Sequence, residues 1–192
     1  GMDQGLRDVL VAFYRDRRFR PAWICADGTL DRALDLLAAL RDADRHGLDP
    51  ERYLTPQLRA PLAGRTQHEL LRLDVVLSAV VHRYAQDIRH GLLRPDADDS
   101  DTLHPWSEPA SARPLQELAG HWHLPTALAA LAPPSEDYRG LVAALARYRA
   151  IARAGGWQPI GAGPTLEPGQ KAPRIGALRR RLLVTGDLAP DA

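Results

Sequence analysis

The chain has 192 residues, enough for one substantial core or two small ones. Hydrophobic residues make up 45% and charged residues 26%, which fits a globular protein and excludes a disordered or fibrous one. The formal net charge of +1 provides no global field for nucleic acid or anionic lipid, so neither is an expected partner.

The hydrophobic periodicity is helical from end to end. Leu6, Val9, Leu10, Phe13 and Tyr14 recur at spacings of three and four and predict an amphipathic first helix. It stops in FYRDRRFRPAW (Phe13 to Trp23), where Pro21 drives Arg20 out of the helical region. Leu30, Leu34, Leu37 and Leu40 predict a second helix, with Thr29 placed to cap it and Asp31 favourable in its first turn. In HGLDPERY (His46 to Tyr53), Gly47 suits a left-handed cap and Pro50 blocks continuation. Thr66 and Glu69 have capping-box spacing. The longest stripe follows: Leu70, Leu73, Leu77, Val80, Val81, Tyr84 and Ile88, closed by Gly91.

Residues 92–113 are rich in Pro, Asp and Ser and read as a long exposed loop. Two short helices are expected near 114–119 and 125–132. Ser135 then caps a helix with Glu136 and Asp137 in its first turn and a stripe of Tyr138, Leu141, Val142, Leu145, Tyr148 and Ile151. Residues 155–173 are irregular, and a final helix carries Ile175, Leu178, Leu182 and Leu183. No strand and no internal repeat are predicted. No apolar run is long enough to span a membrane, and no signal peptide is present. Gly1 reads as a cloning scar, with upstream sequence expected to be missing.

The residues that could carry chemistry each have a structural reading that is favoured. Cys25 is the single cysteine, so no internal disulfide forms. PAWICADG gives it neither His nor Gly as an immediate neighbour, and a buried structural thiol is expected. His121 and His123 could share a metal in an extended segment, but no third ligand is recognisably spaced, so ordinary surface or interface histidines are expected. Asp96, Asp98, Asp99 and Asp101 resemble part of a calcium loop. The sixth position from Asp96 is Asp101 instead of Gly and the twelfth is Ser107 instead of Glu, so a solvated acidic loop is expected. GAGPTLEPGQK lacks the spacing and ending of a phosphate loop. Arg179, Arg180 and Arg181 fan around a helix, as a solvated face does.

Asp74 is the unusual carboxylate. It lies on the apolar stripe of the long helix and therefore needs a partner, either an Arg or the backbone of a neighbouring helix that it caps. Trp23 and Trp157 follow helix ends in RPAW and GGWQP. Either could stack on a sugar, but sealing the core is favoured for both. Trp106 and Trp122 fall in expected loops and are better placed for an exposed contact. No catalytic residue, cofactor site or metal site is nominated.

Taken in order, FYRDRRFRPAW, HGLDPERY, YRGLVAALARYRAIARAGGWQPI (Tyr138 to Ile160) and LRRRLLVTGDL (Leu178 to Leu188) resemble the N-terminal helical region of the large multidomain L,D-transpeptidases of Gram-negative envelopes. The resemblance implies a non-catalytic scaffold. The family's catalytic Ser-His-Gly-Cys signature is absent from this sequence. It also implies a periplasmic location and a role in peptidoglycan cross-linking. The implied partner is a catalytic domain of the same or another chain, with peptidoglycan as a further candidate. The alternative is a free-standing helical module that binds a protein or glycan in the envelope. The expected fold is all-α, a single multi-helix bundle-like domain with long irregular loops. The helical scaffold is expected over 1–173. The final helix and tail, 174–192, correspond to the start of a truncated peptidoglycan-binding module, whose FQ and GLxxDG elements are missing.

Overall fold

The computed structural model describes residues 3–24, 29–62, 64–92 and 111–189. Among them the regular structure is helical throughout, with no strand, as the periodicity predicts. Cys25, the acidic cluster Asp96 to Asp101 and Trp106 lie outside the described residues. The chain forms two compact units, Gly1–Ser135 and Glu136–Ala192. The division therefore falls within the stretch expected to be one scaffold domain, 1–173. Its local cause is Pro133 and Pro134, which keep the helix before them from running into the one after.

In the first unit, α1 (Gln4–Asp16) buries Val9, Leu10 and Phe13. Helix α2 (Asp31–Arg41) buries Ala33, Leu36, Leu37 and Leu40. The expected stripe on α2 is rotated: Leu34 is exposed, while Ala33 and Leu36 face the core. Leu30 holds the N-cap position, with no side-chain hydrogen bond. Two 3-10 turns, Ala43–His46 and Pro50–Arg52, carry HGLDPERY. Gly47 takes the left-handed position at φ 77° and Pro50 opens the second turn. A short α3 (Pro56–Arg59) precedes α4 (Gln67–His90), which starts on the full Thr66/Glu69 capping box and ends at Gly91. Helices α5 (Arg113–Gly120) and α6 (Leu124–Ala129) complete the unit.

Helix α4 is the central post. It packs against α1, α2, α3 and α5, and α2 packs also on α6. Its buried side includes three polar residues, Asp74, Ser78 and His82, among Leu73, Leu77, Val81, Tyr84, Ala85 and Ile88.

The second unit holds α7 (Glu136–Arg153) and α8 (Ile175–Thr185), which pack on each other. No residue of α7 is buried. Trp157 is half-buried, edge-on to Tyr148 at 6.2 Å, with the Arg181 guanidinium 4.9 Å above its ring. The expectation that Trp157 seals a core is thus corrected: it joins a small aromatic–cation cluster at a partly open surface. Gly186 closes α8 in the left-handed conformation at φ 79°.

Candidate functional site

The polar cluster on α4 organises the first unit. Asp74 is only 1% exposed, a burial that a carboxylate tolerates only when its lone pairs are filled. Three successive backbone N–H groups converge on it. Ala22 donates to both oxygens at 3.1 and 3.0 Å, Trp23 to Oδ1 at 2.8 Å and Ile24 to Oδ1 at 3.2 Å. Such a run of N–H groups is an anion cradle, here filled by the protein's own carboxylate. The Tyr14 hydroxyl donates to Oδ2 at 2.5 Å.

Donor direction follows for the rest. The single Tyr14 proton is committed to Asp74. In the 2.8 Å contact between Tyr14 and Ser78, Ser78 is therefore the donor. Ser78 in turn accepts from the indole Nε1 of Trp23 at 2.8 Å. The relay Trp23 to Ser78 to Tyr14 to Asp74 closes on itself, because Asp74 also holds the Trp23 backbone. Burial, followed by the charge of Asp74 and the hydrogen bond to it, pushes the Tyr14 phenol far above the ordinary tyrosine range.

This tie explains FYRDRRFRPAW. Helix α1 ends at Asp16, earlier than the effect of Pro21 on its neighbour requires. Arg18 and Phe19 then take positive φ values of 53° and 58°. The turn is tightened by Phe19 N–H donating to the Tyr14 carbonyl at 2.7 Å. It reverses the chain so that Trp23, 0% exposed, lies stacked on Phe13 with ring centroids 6.2 Å apart. Asp74 then holds the returning strand of backbone. The sequence-based choice for Asp74 between an Arg and a helix cap resolves as a capped irregular turn.

HGLDPERY is fastened to the same helix. Tyr53 is fully buried, meets Tyr84 edge-on at 5.5 Å and donates its hydroxyl to Asp87 Oδ2 at 2.7 Å. Burial first, then the hydrogen bond and charge of Asp87, raise the Tyr53 phenol well above its ordinary value. Two of the distinctive sequence segments therefore end on carboxylates of α4.

Arg32 is a connection that sequence reasoning missed. From α2 it donates to the carbonyls of Leu118 (2.9 Å), Ala119 (3.1 Å) and His121 (3.0 Å), closing the C-terminus of α5, and its guanidinium lies 5.8 Å over the Trp23 ring. One cation on three carbonyls at a helix end is the favourable charge arrangement. Arg32→Ala is expected to cost about 2 kcal/mol, and Arg32→Lys to recover only part of it, because the ammonium lacks the planar fork. Urea denaturation of the three proteins measures this.

His82 is buried, and its Nδ1 has no hydrogen-bond partner among the described residues. Burial lowers its pKa below the ordinary 6.5. The native state therefore refuses a proton that the unfolded chain accepts. Stability is full above pH 6.5 and falls as the pH drops below that value. His82→Met is expected to reduce the stability lost between pH 7.5 and pH 5. Urea midpoints at the two pH values test this, and an unchanged difference would refute the assignment.

The HWH segment has local structural roles. The His123 backbone N–H donates to His121 Nδ1 at 3.1 Å, and the His123 ring caps α6 by accepting from the Thr126 N–H at 3.3 Å while contacting its hydroxyl at 2.8 Å. Trp122 between them is 87% exposed, in keeping with its expected position in a loop.

The side chains gathered at Asp74 satisfy one another and fix the course of the backbone. The family model described as Scaffold domain matches residues 8–145, most of the chain, and the chain belongs to that family. The match begins within α1, runs through the later helices of the first unit and ends within α7. No curated protein and no solved structure matches the chain. Among the described residues no helix is long and apolar enough to cross a membrane.

Proposed function

We propose that this scaffold domain is the non-catalytic scaffold region of an L,D-transpeptidase-like protein that acts in the periplasm in peptidoglycan cross-linking. The reading rests on the four ordered sequence segments together with membership of the Scaffold domain family. The single observation that carries it is the fate of FYRDRRFRPAW, whose Tyr14 and Trp23 are bound into the Asp74 tie and brace the fold. Cross-linking two peptide stems depends on precise mutual placement. A rigid scaffold supplies orientation to a catalytic domain, of the same or another chain, without contributing a reacting group. Residues 174–192 are then the start of a peptidoglycan-binding module.

Deleting the gene is expected to deplete L,D-cross-linked dimers from the muropeptide profile, and a profile identical to the parent's would refute the reading. Purified chain incubated with muropeptides is expected to leave them unchanged. Turnover lost in Cys25→Ser would instead make the chain an enzyme.

The exposure of Trp122 favours one second reading, a module that contacts glycan through an open aromatic face. Peptidoglycan fragments would then quench fluorescence in the parent and not in Trp122→Phe. Fragments without effect on either protein rule it out.

A further inference from the structure

The turn that delivers Trp23 to Asp74 also builds a surface that the tie does not use. Helices α1 and α4 leave a groove of about 460 Å³ between them, with Leu10, Val11, Phe19, Pro21, Leu71 and Val75 on its walls. Val11, Leu71 and Val75 are exposed, and Phe19 is 73% exposed. Isolated surface apolar residues need no explanation, but four converging on one concavity do. Phe19 is also held there in a left-handed conformation unfavourable for a bulky side chain, without burying its ring in return. The floor beneath is rigid, since Tyr14 and Asp74 line the groove and are locked into the buried network.

We propose that this groove docks an acidic amphipathic helix of a protein partner. Shape and charge together select that occupant. On α1 the groove-lining residues Arg7, Leu10, Val11 and Tyr14 fall at spacings of three and four over two turns. That is the footprint of a third helix laid between two others. The rim is basic: Arg7 lines one end, and Arg18 and Arg20 flank Phe19 at the turn. All three are exposed, and none forms an ion pair among the described residues. Apolar walls beside guanidinium groups that form no ion pair among the described residues match a helix with two or three apolar anchors on one face and carboxylates at its flanks. The inference does not depend on the cell-wall reading and holds for the scaffold in any assembly.

The test uses the full chain and a hydrocarbon-stapled twelve-residue helix with Leu anchors at i, i+4 and i+7 and Glu at both ends. Titration followed by amide chemical shifts is expected to move resonances of α1, the 17–21 turn and the first half of α4. Val11→Asp lies on an exposed position of α1, so the fold is retained, and it is expected to weaken binding at least about tenfold. Arg7→Glu combined with Arg18→Glu is expected to do the same, and added salt to weaken the parent complex. The proposal is overturned by an absence of shifts up to about 1 mM peptide, the range of the weakest specific contacts. Equal binding of the same helix with Lys at its ends also overturns it. Self-association of the parent chain that Val11→Asp abolishes would assign the groove to a second copy and overturn it as well.

Discussion

Asp74→Ala is expected to be among the most destabilising single substitutions in this chain, at about 4 kcal/mol. The carboxylate, only 1% exposed, accepts the backbone N–H groups of Ala22, Trp23 and Ile24 and the hydroxyl of Tyr14. Alanine removes every acceptor at once, and each stranded buried donor costs about 1–3 kcal/mol before relaxation. Relaxation is limited, because the turn at 17–20 fixes the direction from which the segment returns. Asp74→Asn keeps one acceptor oxygen for the backbone but places an amide N–H₂ against the oxygen side that Tyr14 and Ala22 now approach. It is expected to cost roughly half as much. Urea midpoints give the ranking. Hydrogen exchange at Trp23 and Ile24 should rise first in both variants. Equal stability of parent and Asp74→Ala would show that the tie does not hold the fold.

Trp23→Ala is the second large effect, about 3–5 kcal/mol, the range for truncating an enclosed aromatic ring in a core that cannot collapse around the cavity. The ring is fully buried, stacks on Phe13, lies beneath Arg32 and donates its indole N–H to Ser78. Trp23→Phe is expected to recover most of the packing but leave Ser78 without its donor. Trp157→Ala provides the contrast. Its half-open ring, held edge-on by Tyr148 and capped by Arg181, is expected to contribute about 1 kcal/mol. A thermal melt of each variant separates the two positions. Comparable losses would mean that Trp157 is as enclosed as Trp23.

These two residues also mark how much could be read before the fold was known. Asp74 stood out because a carboxylate on an apolar helical stripe must be satisfied, and that requirement is local and chemical. Its partners were not legible. They are backbone N–H groups about fifty residues earlier, and an N–H donor leaves no mark in a sequence. The core role of Trp23 was legible, but the acceptor of its indole N–H, the Ser78 hydroxyl one turn beyond Asp74, was not. For Trp157 the same reasoning misled, since a helix end followed by an aromatic looks alike whether or not another layer covers it. Leu34 and Leu36 show the same limit on α2. Both fit an apolar stripe, and only the helices packed against α2 select which is buried.

The sequence by itself determined the helical class, the capping box that starts α4 and the glycine stops at Gly47 and Gly91. Each of these depends on contacts within a few residues, on backbone sterics or on periodicity. Only the tertiary structure decided where the turn at 17–20 sends the chain, which carboxylate receives it, that Arg32 closes α5, and that an apolar groove flanked by arginines lies beside the tie. Those features join residues 50 to 90 positions apart, and such pairings are set by the simultaneous packing of several helices.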